Sequence, residues 1–120
     1  MLNTVCFFEL PADDFESMQK FYSELFNWKF EKVPGQFRYY KINMGTESPK
    51  GGMTARQDAQ HTPVNYVKVS CVQESLEKAR QLGAQVVVPR RPVPGTGWFA
   101  VLLDPNGNRM GLWQEDSSAA

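Results

Sequence analysis

Glu9 is the first residue whose type and place suggest chemistry. It sits in "TVCFFEL" between Phe8 and Leu10, a carboxylate inside an apolar run. A carboxylate held partly out of water binds its proton more tightly and can serve as a general base. Strand alternation puts Val5, Phe7 and Glu9 on one face of this run, with Cys6, Phe8 and Leu10 on the other. In a later run, Val64, Tyr66 and Lys68 share a face. Arg56 and Lys68 are the cations that accompany Glu9, and Thr54 and Gly111 are small. Phe7, Tyr66 and Trp113 are aromatic, and Trp98 joins them from a neighbouring strand. Rings with a few charged groups suit a small organic ligand, because the rings supply buried area and the charges orient it. The plainer alternative makes the rings core and leaves Glu9 as half of an ion pair with Arg56 or Lys68.

Other reactive side chains offer less. Cys6 and Cys71 read as packing residues, since no histidine and third partner stand near either in the sequence. Two cysteines make neither a disulfide scaffold nor a metal motif. The lone histidine, His61, falls in a polar connection and reads as a solvated side chain. Lys and Arg number 13 against 13 Asp and Glu, so a nucleic-acid partner is not expected. The paired arginines of "VVVPRRPVPG" read as a solvated loop. No apolar run approaches the roughly 18 residues of a membrane span, and the N-terminus lacks the layout of a signal peptide. A reduced, cytoplasmic setting is the expectation.

The elements that must position these residues come in a repeated order. "TVCFFEL" reads as a strand, and Phe15, Met18, Phe21, Tyr22 and Leu25 then recur at helical spacing. Asp13 and Glu16 have the spacing of a capping box. "WKFEKV", "FRYYKINM" and "GGMTARQ" follow as strands, with Pro34-Gly35 turning between the first two. After the linker "DAQHTP", the strand "VNYVKVS" leads to a helix with Val72, Leu76, Ala79 and Leu82 on one face. Ser70 and Gln73 form a second capping-box pattern, and Gly83 suits the position after the helix end. "AQVVVP", "GWFAVLL" and "NRMGLWQ" complete this half. The pattern is strand–helix–strand–strand–strand, written twice in one domain of residues 1–120. Module one covers about 1–58 and module two about 62–116. A ferredoxin-like sandwich would leave one strand per half unused.

"FELPADDFESMQKFYSELFNW" and "GWFAVLLDPNGNRMGLWQ" resemble the vicinal oxygen chelate superfamily, which includes glyoxalase I, bleomycin-resistance proteins and extradiol dioxygenases. The "FYSELF" helix end and the "DPNGN" turn carry the likeness, which extends over nearly the whole chain. It implies an α+β fold: two βαβββ modules forming an incomplete barrel around a concave site. It also implies a divalent metal held by His, Glu or Gln from the first and last strand of each module. The matching positions here are Phe7, Thr54 (approximately), Val64 and Gly111, and none of them ligates a metal.

The resulting expectation is a binder of a small organic molecule with no metal or other cofactor, paired as a homodimer. Phe7, Thr54, Arg56, Tyr66, Lys68, Trp98, Gly111 and Trp113 would line its site. The competing expectation is a lyase, isomerase or dioxygenase-type enzyme related to lactoylglutathione lyase. It would use a metal or Glu9 as base. If Gly111 simply leaves space, alanine there should be neutral or stabilising by up to about 1 kcal/mol.

Overall fold

The computed structural model describes residues 1–35, 38–47 and 50–120. Phe37, expected at the start of the third strand, lies outside the described residues. The chain divides into two compact units, residues 7–63 and residues 1–6 with 64–120. The first six residues therefore belong with the second half. The Asn3 N–H donates to the Lys68 carbonyl at 2.7 Å, and the Lys68 N–H donates to the Thr4 carbonyl at 3.0 Å.

In the first unit, β1 (Val5–Ala12, entering the unit at Phe7), α1 (Phe15–Phe26), β2 (Lys29–Val33), β3 (Tyr39–Asn43) and β4 (Lys50–Ala55) follow one another. The sheet order is β2-β3-β4-β1, with β1 parallel to β4 and the other pairs antiparallel. Alternation sends Phe8, Leu10, Ala12, Ile42 and Met53 toward α1, where they pack with Phe15, Met18 and Tyr22. Asp14, not Asp13, caps the helix by accepting the Ser17 N–H at 3.2 Å. Asn27 ends it in the left-handed conformation, φ 59°. The buried stripe is narrower than the apolar spacing suggests. Phe21, Leu25 and Phe26 stay exposed, while Tyr22 stacks on Trp28 at 5.2 Å.

The second unit repeats the plan with β5 (Val64–Lys68), α2 (Val72–Gln81), β6 (Gln85–Val93), β7 (Gly97–Leu103) and β8 (Arg109–Glu115). Its order is β5-β8-β7-β6, again with one parallel pair, β5 with β8. Val69, Val72, Leu76, Ala100, Leu102 and Leu112 form its core. Leu82 falls outside that core, exposed at the helix end. The capping residue of α2 is Cys71 rather than Ser70, and it makes no side-chain cap bond. Gln114 of β8 supplies the missing acceptor, taking the Val72 N–H at 2.9 Å. Gly83 has φ 101°, a conformation that favours glycine. The arginines read as loop residues belong to β6, an edge strand broken by Pro89, Pro92 and two register shifts. Those irregularities blunt an edge that could otherwise pair with another chain.

Candidate functional site

On the face of the first unit's strands turned away from α1, Glu9 of β1 pairs with Gly52 of β4, which pairs with Lys41 of β3. Phe7 and Thr54 share this face by alternation. Tyr39, two residues before Lys41, reaches back over β4, and its hydroxyl donates to Glu9 Oε2 at 2.9 Å. A Cβ on Gly52 would collide with the Tyr39 hydroxyl oxygen. The glycine is what lets a phenol cross one strand to hold a carboxylate on the next.

Of the cations expected beside Glu9, Arg56 of the same unit pairs elsewhere. Arg56 lies just past β4, where it bridges to Asp13 at 3.1 Å and donates through Nη1 to the His61 carbonyl. His61 itself is buried at 8% exposure, so the solvated reading fails. Its Nδ1 accepts the Gln57 N–H at 3.0 Å, and its own N–H donates to the Asp58 carbonyl. The short connection folds back on itself, and the imidazole fills the turn.

On the face of the second unit's strands turned away from α2, Tyr66 of β5 stands opposite Gly111 of β8. A Cβ on Gly111 would strike Cδ2 and Cε2 of the Tyr66 ring. Gly111 thus makes room for a neighbouring side chain. Lys68, one step along the same face, pairs with Glu115 at 3.2 Å. Trp113 lies over Gly97 of β7, where a Cβ would come within 2.7 Å of Cζ2 and Cη2.

Trp98 is on the other side of the sheet, a correction to the expected lining. It packs against the helix-side core, donates from Nε1 to Asp116 at 2.9 Å and carries Arg90 over its ring at 4.1 Å. Its neighbour Phe99 faces the other way, directly opposite Trp113. Sequence alternation holds the signal for Phe99, but only once the phase of β7 is known. The hydrogen bonds on Asp116, from Ser118 and then from Trp98, hold its carboxyl below the usual range.

The residues present do not fit the metal that the fold class implies. Phe7, Thr54, Val64 and Gly111 have no strong donor among them. The ladders also make Gly52, rather than Thr54, the counterpart of Gly111: each glycine pairs with the first strand of its module. Among the described residues no group of three or more His, Cys, Asp and Glu stands ready to hold a cation. A separate depression of about 330 Å³ is lined by Phe26, Asn27, Lys29, Asn43, Met44 and Gly45. It holds one cation and no carboxylate, and none of the site residues above.

Two βαβββ modules, each with a parallel pairing of first and last strand, make the vicinal oxygen chelate fold. A family profile, Glyoxalase/Bleomycin resistance protein/Dioxygenase superfamily, matches residues 4–112, and the chain belongs to that superfamily. It is 26% identical over 113 residues to "Putative glyoxylase CFP32" of Mycobacterium bovis, covering 88% of this chain and 43% of that protein. The chain thus spans less than half the length of the curated relatives it matches. Among solved structures, a variant methylmalonyl-CoA epimerase from Streptomyces coelicolor in complex with 2-nitronate-propionyl-CoA superposes with TM-score 0.70 at 12% identity. That match covers 100% of this chain and 99% of the epimerase. A glyoxalase/bleomycin resistance protein/dioxygenase superfamily member from Vibrio splendidus 12B01 gives 0.65 at 11% identity, over 91% of this chain and 96% of that one. At such identities the likeness speaks for fold alone.

Proposed function

We propose that this chain binds a small organic molecule on the sheet faces turned away from its helices, and that it does so without a metal. One observation carries the reading. The Tyr39 hydroxyl holds the Glu9 carboxylate in place, and by the resemblance Phe7, Val64 and Gly111 stand where the superfamily places its ligands. A carboxylate held by a phenol, with Phe7 on the same strand face, can orient an organic ligand through hydrogen bonds. Neither cysteine is in a disulfide, which suits a reducing, cytoplasmic setting, and a homodimer is the assembly we propose. The test is a panel of aromatic acids, acyl thioesters and dicarbonyl compounds, screened by thermal shift and NMR on protein whose metal content has been measured. Binding that survives a chelator and is lost in Glu9→Gln supports the reading. A ligand that binds only with about one equivalent of metal overturns it.

The second reading is an enzyme of the same superfamily with Glu9 as general base. The fixed orientation of the Glu9 carboxylate favours it, because a base must be held within hydrogen-bond reach of the proton it takes. The relevant measurement is exchange, in D2O, of the acidic C–H of the panel's thioesters. Exchange that Glu9→Gln abolishes makes the protein an enzyme. No exchange with any bound member leaves it a binder.

A further inference from the structure

The strand register of the second unit sets four side chains in one row on the face away from α2. Arg91 of β6 pairs with Phe99 of β7, Phe99 with Trp113 of β8, and Trp113 with Lys68 of β5. Two rings stand in the middle and a cation at each end, spanning about 14 Å at the usual strand spacing. The rings are half-buried, and Trp113 is laid toward β7 because Gly97 has no side chain to lift it.

The two cations differ. Lys68 is already neutralised by Glu115. Arg91 is exposed, and among the described residues it has no carboxylate partner. Arg90, one residue earlier, turns to the opposite face and spends its guanidinium on Trp98. A cationic ligand would gain from the rings but would meet Arg91. A neutral one would leave the guanidinium unused. A flat anion uses both.

We infer that this face binds a planar, negatively charged small molecule, its ring stacked on Phe99 and Trp113 and its acid group paired with Arg91. The inference rests on the small-molecule reading above and adds the ligand's class and a place for it on the second unit. A guanidinium presents paired N–H donors to an acid group, which fixes orientation as well as adding attraction.

The test uses two probes with one ring system, 8-anilinonaphthalene-1-sulfonate and its uncharged analogue N-phenyl-1-naphthylamine. Each is titrated by fluorescence and mapped by NMR. The sulfonate should bind about tenfold more tightly, the equivalent of one charge-assisted hydrogen bond. Arg91→Gln should erase that preference without changing the affinity for the neutral probe. Arg90→Gln removes the same charge from the opposite face and should leave the preference intact. Shifts should centre on Trp113 and Phe99. Equal affinities in the wild-type protein, an equal effect of both arginine variants, or shifts elsewhere would each overturn the inference. If panel ligands still perturb Glu9 and Tyr39, only this inference falls. If no panel member and neither probe binds, the reading it rests on falls too.

Discussion

The ring of Tyr66 lies across Gly111, its partner on the neighbouring strand, and occupies the space where a side chain at 111 would begin. Tyr66 is only 5% exposed, so its ring has little freedom to move aside. This reverses the sign expected from sequence for an alanine at that position. Gly111→Ala should destabilise the fold by about 1–3 kcal/mol, the usual cost of overpacking. In a Tyr66→Ala background the same change should cost little. Urea melts of the four proteins form the cycle, and simple additivity would reject the contact.

Gly52 plays the corresponding part in the first unit, but there the crossing ring also makes a hydrogen bond. Tyr39→Phe keeps the ring and removes the donor to Glu9. We expect a loss of about 1–2 kcal/mol, toward the lower end for a bond to a charged group because the pair is only half-buried. Gly52→Ala should cost at least as much, since the phenol must leave. A Tyr39→Phe protein with unchanged stability and unchanged ligand binding would remove Tyr39 from the site.

His61 should prove structural. Its Nδ1 accepts the Gln57 N–H, which requires the tautomer with the proton on Nε2. Nitrogen-15 NMR should report that tautomer at neutral pH. His61→Ala should cost about 1–3 kcal/mol, because it removes a buried side chain and the acceptor of the part-buried Gln57 N–H. The opposite tautomer, or an alanine variant as stable as the wild type, would contradict the assignment.

The repeat of strand, helix and three strands was legible because apolar spacing marks each element and the turn residues separate them. What the spacing could not show was the phase of each strand relative to its neighbours. Trp98 and Phe99 are adjacent, and only the β7–β8 register decides which of them faces away from α2. The same limit applies to caps. Asp13 has capping-box spacing but is drawn to Arg56, a residue far along the chain, and Gln114 caps α2 from another strand. The match of Phe7, Val64 and Gly111 to metal positions came from the resemblance to the superfamily, not from spacing. The Glu9–Tyr39 bond was not legible, because it depends on a ring crossing a glycine from two strands away.

The turn "DPNGN" gives a pH prediction. Asp104 accepts the backbone N–H groups of Asn106 and Asn108 and the side-chain amide of Asn108, at 2.9–3.0 Å. The bonds from Asn108, backbone first and then side chain, favour the charged form most and hold the carboxyl below its usual 3.8. A group whose pKa falls on folding stabilises the fold above its unfolded pKa of about 3.9, and that contribution disappears as the pH drops through the folded value. Asp104→Asn keeps the shape and one acceptor oxygen but loses the charge. The variant should therefore be less stable than the wild type at pH 7, with the gap narrowing below about pH 4 as Asp104 is protonated. Asp116 titrates in the same direction in both proteins, so their difference isolates Asp104. Denaturant melts at pH 7, 5 and 3 make the comparison. A gap that stays constant across that range would show that the charge on Asp104 contributes nothing to the turn.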